Sequence, residues 1–237
     1  MRWLRYWLFW CLDYWYIAKR QVLGLRRGAA GRYALPGVGS GVPVIVIPGV
    51  YERWEIMEPI MQALQEGGHS VFVVDKLGYN AGLVAASAQT VMDRIGELGA
   101  ETVAIVAHSK GGLIGKYAML FCDPDRRIAT MVAISTPFSG SVYARFLPFF
   151  GLGSFSPGDA TLRRLAAETA ANARITSIYG EFDPHIPGGS FLEGAAANVR
   201  LRVIGHFRLL SDPRVIKAVV SRVDEWPLYP PKNPNVL

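Results

Sequence analysis

The chain has 237 residues, 51% hydrophobic and 19% charged, which suits one large domain with a full core and excludes a mainly disordered protein. Two cysteines, Cys11 and Cys122, and four histidines with no HExxH or paired spacing exclude a disulfide scaffold or a cysteine zinc site and argue against a metalloenzyme. The net charge of +6 is carried by residues 1–32, where seven Lys and Arg stand against Asp13 alone, and the charges beyond them balance; the body therefore lacks the basic surface that nucleic-acid binding needs.

Residues 1–32 read as an aromatic and basic appendage to a domain spanning 33–237. Trp3, Trp7, Trp10 and Trp15 lie here, interleaved with Tyr6, Phe9, Tyr14 and Tyr16. The apolar run from Tyr6 stops at Asp13, well short of the roughly 20 residues that span a bilayer, and no small-residue cleavage site follows, as a signal peptide would require. An aromatic helix followed by basic residues suits the headgroup region of an anionic bilayer. The expectation is that residues 1–28 form an interfacial anchor on the cytoplasmic, inner face of the cell membrane. The same aromatics also suit padding of the domain edge or a contact with a second subunit.

The body then alternates strands and helices. Residues 43–47 (PVIVI), 71–75 (VFVVD), 102–107 (TVAIVA), 128–134 (IATMVAI), 174–179 (RITSIY) and 199–204 (VRLRVI) are short apolar runs bounded by turn residues, as buried parallel strands are. Helical spacing covers residues 54–66 and 85–98, and the third strand runs through His108 to Gly112 into a helix that ends at about Phe121. A final helix over 213–224 begins with Asp212-Pro213 in cap-then-first-turn order. Strands alternating with helices make an α/β fold with a mostly parallel, doubly covered sheet. One insertion, at about 138–171, breaks the rhythm. Its first part is rich in Phe, Leu, Gly and Pro and its second, 161–171, is helical in pattern; long segments in such a place serve as lids or substrate walls.

Chemistry concentrates where the third strand meets its helix. Ala107-His108-Ser109-Lys110-Gly111 fits a nucleophile elbow, a sharp strand-to-helix turn that lifts a serine above the carboxyl edge of the sheet and needs small residues on either side. A serine hydroxyl needs a base to take its proton. His206 follows the last strand and Asp183 the one before it, so the order Ser109, Asp183, His206, each just past a strand, is that of a serine–acid–histidine triad. His185 is the rival base, and Glu181 and Asp159 are the rival acids. His108 is expected to pack beneath the elbow. An oxyanion hole needs two backbone N–H groups: Lys110, after the nucleophile, supplies one, and Val50, in the Pro48-Gly49-Val50 turn, the other. The Lys110 side chain is expected to reach solvent. Phe138, Tyr143, Phe146 and Phe149, with Phe150 and Phe155, are expected to line an acyl pocket.

Pro48-Gly49-Val50, Ala107 to Gly112 (AHSKGG), Ser135 to Gly140 (STPFSG), Gly180-xx-Asp183-xx-Ile186-Pro187 and Gly205-His206-Phe207 together resemble the motifs of lipase-like α/β-hydrolases, over roughly residues 42–224. The resemblance implies an α/β-hydrolase fold and a carboxylic-ester hydrolase that works through an acyl-serine on a small-molecule or lipid ester and needs no cofactor. Acyl transfer and perhydrolysis use the same triad, and a silent hydrolase fold kept as an interaction scaffold is the non-enzymatic alternative.

Overall fold

The computed structural model describes residues 2–27, 41–141, 144 and 155–225, with side chains described for residues 9–22 of the first segment. Helix α1 (Arg2–Arg27) precedes an alternating series: β1 (Val44–Ile47), α2 (Glu58–Glu66), β2 (Val71–Val73), α3 (Val84–Leu98), β3 (Val103–His108), α4 (Lys110–Phe121), β4 (Ile128–Ile134), α5 (Ala160–Ala167), β5 (Ile175–Phe182), β6 (Ala197–Ile204) and α6 (Pro213–Asp224). The six strands form one sheet in the order β2-β1-β3-β4-β5-β6, and every neighbouring pair is parallel.

β1, β3 and β4 are buried at every residue, which is why they are continuous Val/Ile/Ala runs rather than alternating ones. Their side chains alternate between two cores. Ile45, Ile47, Ile105, Ala107, Met131 and Ala133 pack with α3, α4 and α5 on one face; Val44, Val46, Ala104, Val106, Val132 and Ile134 pack with α2 and α6 on the other. β6, at an edge, is largely half-exposed and carries Arg200 and Arg202, charges that discourage further strand pairing. Helix starts follow cap chemistry: Asp212 accepts from Arg214 N–H ahead of α6, and Asp159 accepts from Thr161 and Leu162 N–H ahead of α5. Asp159 is thereby committed to a cap and is not the triad acid.

α1 lies against the domain. It packs on the 3₁₀ turns Trp54–Met57 and Arg208–Ser211. The Tyr16 hydroxyl donates to Ile56 C=O at 3.0 Å, Arg20 pairs with Glu58 at 2.8 Å, and Gln21 Nε2 donates to Tyr51 C=O at 3.1 Å. Of the insertion, α5 is described, and so are the flanking residues up to Ser141, Ala144 and those from Phe155 on. Of the lid expected over 138–171, residues 142, 143 and 145–154 lie outside the described residues.

Candidate active site

Ser109 sits between β3 and α4 with φ 52° and ψ −120°, a strained conformation for a residue with a side chain and one that clusters at functional sites. The elbow closes so tightly that a Cβ on Gly111 would lie 2.3 Å from Ile47 O, and one on Gly112 would lie 2.0 Å from Thr136 Oγ1. Only glycine fits where α4 starts against the ends of β1 and β4.

The three residues expected to form the triad converge at the carboxyl edge of the sheet, each buried. His206 Nδ1 lies 2.7 Å from Asp183 Oδ2 and His206 Nε2 lies 3.0 Å from Ser109 Oγ. A carboxylate only accepts, so Nδ1 carries the proton and Nε2 accepts from the serine hydroxyl, the tautomer a general base needs. The second oxygen of Asp183 accepts from the N–H groups of His185 (2.8 Å) and Ile186 (3.1 Å), which fixes the carboxylate's orientation. Burial works to raise the Asp183 pKa, but the charge and hydrogen bond of His206 outweigh it and the net shift is downward. Burial likewise opposes charge on His206, yet Asp183, joined by Glu52 and Asp13, holds its pKa above the ordinary 6.5.

The rival groups are accounted for. Glu181 is exposed. His185 is pushed down to about 3, first by burial and then by the charge of His206, so it stays neutral; its ring stacks on Trp10 at 6.0 Å. His108 is fully buried, as expected for a residue beneath the elbow. It bridges Glu52 Oε2 (2.8 Å) and the C=O of His206 (3.1 Å). Glu52, His108 and His206 lie close enough to suggest a cation site, but both nitrogens of both rings are already hydrogen-bonded, so the trio does not offer a free set of metal ligands.

Val50 borders the cavity above Ser109, and Lys110 opens α4 immediately after the serine. Among the described residues neither backbone N–H has an acceptor, whereas Gly49 N–H is taken by Glu52 Oε2 at 2.7 Å. The Lys110 side chain departs from expectation. It is buried, donating to the C=O groups of Asn80 (2.7 Å) and Gly82 (2.5 Å), and burial lowers its pKa to about 8. Asn80 in turn donates from Nδ2 to Pro48 C=O at 2.7 Å. The lysine therefore ties the elbow to the turn after β1 instead of reaching solvent.

A cavity of about 550 Å³ opens over Ser109 and His206, within the size range of small-molecule sites. Its apolar walls include Trp10, Tyr14 and Ile17 of α1, with Val50, Phe155 and Ile186. Phe138 is not part of this wall. It follows Pro137, which does border the cavity, and turns into the core on the α3–α4 face. Tyr143, Phe146 and Phe149 lie outside the described residues. What the sequence reading missed is α1 as a wall, together with Asp13 and Glu52; the one signal was an acid isolated among aromatics.

No protein-family model and no curated protein sequence matches the chain. Its fold is the α/β-hydrolase fold. Aspergillus fumigatus lipase B superposes with a TM-score of 0.65 at 19% identity, over 80% of this chain and 54% of that one, so the chain spans about half the length of that lipase. A Paleococcus ferrophilus monoacylglycerol lipase matches with a TM-score of 0.57 at 16% identity, over 78% and 96% of the two chains. A Vigna radiata epoxide hydrolase matches at 0.53 and 14%, over 79% and 93%. Such likeness establishes the fold; the reaction has to be argued from the site.

Proposed function

We propose that the chain is a serine hydrolase that cleaves hydrophobic carboxylic esters through an acyl-Ser109 intermediate at a membrane surface. The observation that carries this reading is the continuous chain Ser109–His206–Asp183 beneath an apolar cavity. His206 takes the proton of Ser109 as the oxygen attacks the ester carbonyl. The N–H groups of Val50 and Lys110 stabilise the tetrahedral oxyanion, and His206 returns the proton to the departing alkoxide. Water, deprotonated by His206, then releases the acid. Asp183 holds the imidazole and stabilises its cation. The walls contributed by Trp10, Tyr14, Ile17 and Phe155 take the acyl chain, and no cofactor enters any step.

The test is covalent. A fluorophosphonate is expected to label Ser109, mapped by mass spectrometry, with an acid limb centred above pH 6.5 because a raised His206 must first lose its proton. Across a p-nitrophenyl ester series, kcat/KM is expected to rise about fourfold per methylene until the cavity fills, from ~0.8 kcal/mol of burial each. Failure to label Ser109 in folded protein, with or without detergent, overturns the reading.

Membrane use rests on the outer face of α1, where Leu12, Trp15 and Val22 are exposed, Trp15 at 69%. No described helix is long and apolar enough to cross a membrane; in this reading α1 lies along the interface, on the cytoplasmic side. Trp10 and Tyr14 also border the cavity, which would open its mouth toward dissolved ester. Leu12→Ser and Trp15→Ser are expected to weaken binding to anionic vesicles by roughly tenfold or more together while leaving hydrolysis of a soluble ester intact. Equal vesicle binding by the double variant and the parent would end the membrane part of the proposal.

A further inference from the structure

α1 carries a single acid on the stretch whose side chains are described, and it faces inward. Asp13 is fully buried, whereas its neighbours Leu12, Tyr14 and Trp15 are exposed. Its carboxylate accepts three backbone N–H groups, all at 2.9 Å: His206 on Oδ2, and Phe207 and Arg208 on Oδ1. These amides open the 3₁₀ turn Arg208–Ser211, where a helical turn leaves its N–H groups without internal partners. The acid therefore caps, from 193 residues away in sequence, the segment that presents the general base.

Gly205 reports the same contact from the other side. It holds φ +126°, and a Cβ there would stand 2.7 Å from Asp13 Oδ1. A side chain in the Gly-His-Phe motif would displace the carboxylate. Below, His108 Nε2 meets the C=O of His206 at 3.1 Å, and Glu52 anchors His108. The backbone of His206 is thus gripped at its N–H by α1 and at its C=O by β3.

We propose that Asp13 is a positioning residue for the general base: α1 holds His206 in register between Ser109 and Asp183, and the Asp13 charge favours the imidazolium formed during attack. This inference rests on the serine-hydrolase reading above. The ionisable groups facing His206 are Asp183 and His185 from the loop after β5, Glu52 from the turn after β1, His108 from β3 and Asp13 from α1. With His185 held neutral, Asp13 supports the cation from the α1 side as Asp183 does from the other.

The experiment measures the rate of Ser109 labelling by a fluorophosphonate against pH in the full-length chain. Asp13→Asn, the same size but uncharged, is expected to label roughly ten- to hundredfold more slowly, as displaced catalytic groups do, with its acid midpoint moved to lower pH. Ester hydrolysis should lose kcat with little change in KM. Asp13→Ser, smaller and with one acceptor left, is carried in parallel and should shift the same way; the midpoint is read from whatever fraction labels, so partial unfolding does not obscure it. Tyr16→Phe removes another α1 contact without touching the site and should leave rate and midpoint unchanged. Wild-type rate and midpoint in the Asp13 variants overturn the inference. So does an equal slowing in Tyr16→Phe with no change of midpoint, which would make Asp13 one of several bonds holding a helix. An unlabelled wild type overturns the hydrolase reading, and this inference with it.

Discussion

Ser109→Ala is expected to abolish fluorophosphonate labelling and to lower kcat for ester hydrolysis by about 10⁶, with His206→Ala falling as far and the double variant no further. The triad acts as a unit: without the base the hydroxyl is not a nucleophile, and without the hydroxyl the base has no proton to take. The residual rate, about 10³–10⁴ above water, belongs to the oxyanion donors and the cavity. Asp183→Asn is the informative companion. Asp183 Oδ1 accepts from His185 and Ile186 N–H, so an asparagine at 183 must keep its carbonyl there and turn its NH₂ toward His206 Nδ1. That nitrogen then accepts, the ring proton moves to Nε2, and the ring donates to Ser109 instead of accepting from it. A loss of about 10⁴ in kcat is the expected cost of that wrong tautomer. Steady-state kinetics on a p-nitrophenyl ester checks all four, with thermal melts to show that each variant folds. Ser109→Ala at parental activity would move the chemistry to another residue.

The geometry behind this prediction was legible where it depends on burial and on local sequence. β4 was read at its observed bounds and β3 within a residue, because strands buried on both faces are unbroken apolar runs. β6 begins two residues earlier than its pattern indicated, since an edge strand with half-exposed positions loses that signal. Residues 54–66 read as one helix but divide into a 3₁₀ turn and α2, with Pro59 in the first turn of α2. The triad was legible because each member follows a strand, and parallel strands deliver their carboxyl ends to one edge.

Contacts across the fold were not legible in the same way. In the sequence Asp13 is an interruption in an apolar run, and nothing local says that its carboxylate meets amides at 206–208. Lys110 looked like a solvent-facing cation because the acceptors it finds are the backbone carbonyls of Asn80 and Gly82, which have no sequence signature. Composition leaves the aromatic appendage open between an interfacial anchor and padding of the domain edge or a subunit contact, and the helix has two faces. Its outer face carries Leu12, Trp15 and Val22, which suit an interface, and its inner face carries Trp10, Asp13, Tyr14, Ile17 and Gln21 against the site. For that reason, deletion of the segment would confuse lipid binding with positioning of His206, and single substitutions separate the two.

The elbow sets the second large effect. Ala107 takes the position that glycine often holds before the nucleophile. It is fully buried and its methyl is accommodated in β3, so Ala107→Gly is expected to change activity little. Gly111 is the opposite case. A methyl there would lie 2.3 Å from Ile47 O and 2.9 Å from Pro48 O, both backbone atoms at the end of a central strand, with no side chain able to swing aside. Relief requires α4 to move away from β1, and that separates Lys110 N–H from Val50 N–H, the pair proposed to hold the oxyanion. Overpacking of this kind costs about 3 kcal/mol, or roughly 6–12 °C in Tm for a chain of this size. Misaligning one oxyanion donor costs a further ~10²–10³ in kcat. Gly111→Ala should therefore lose activity at temperatures where it is still folded, while Ala107→Gly keeps it. Thermal melts paired with kcat below the lower Tm measure this asymmetry, and equal tolerance of the two changes would mean that the contact between α4 and β1 does not align the oxyanion donors.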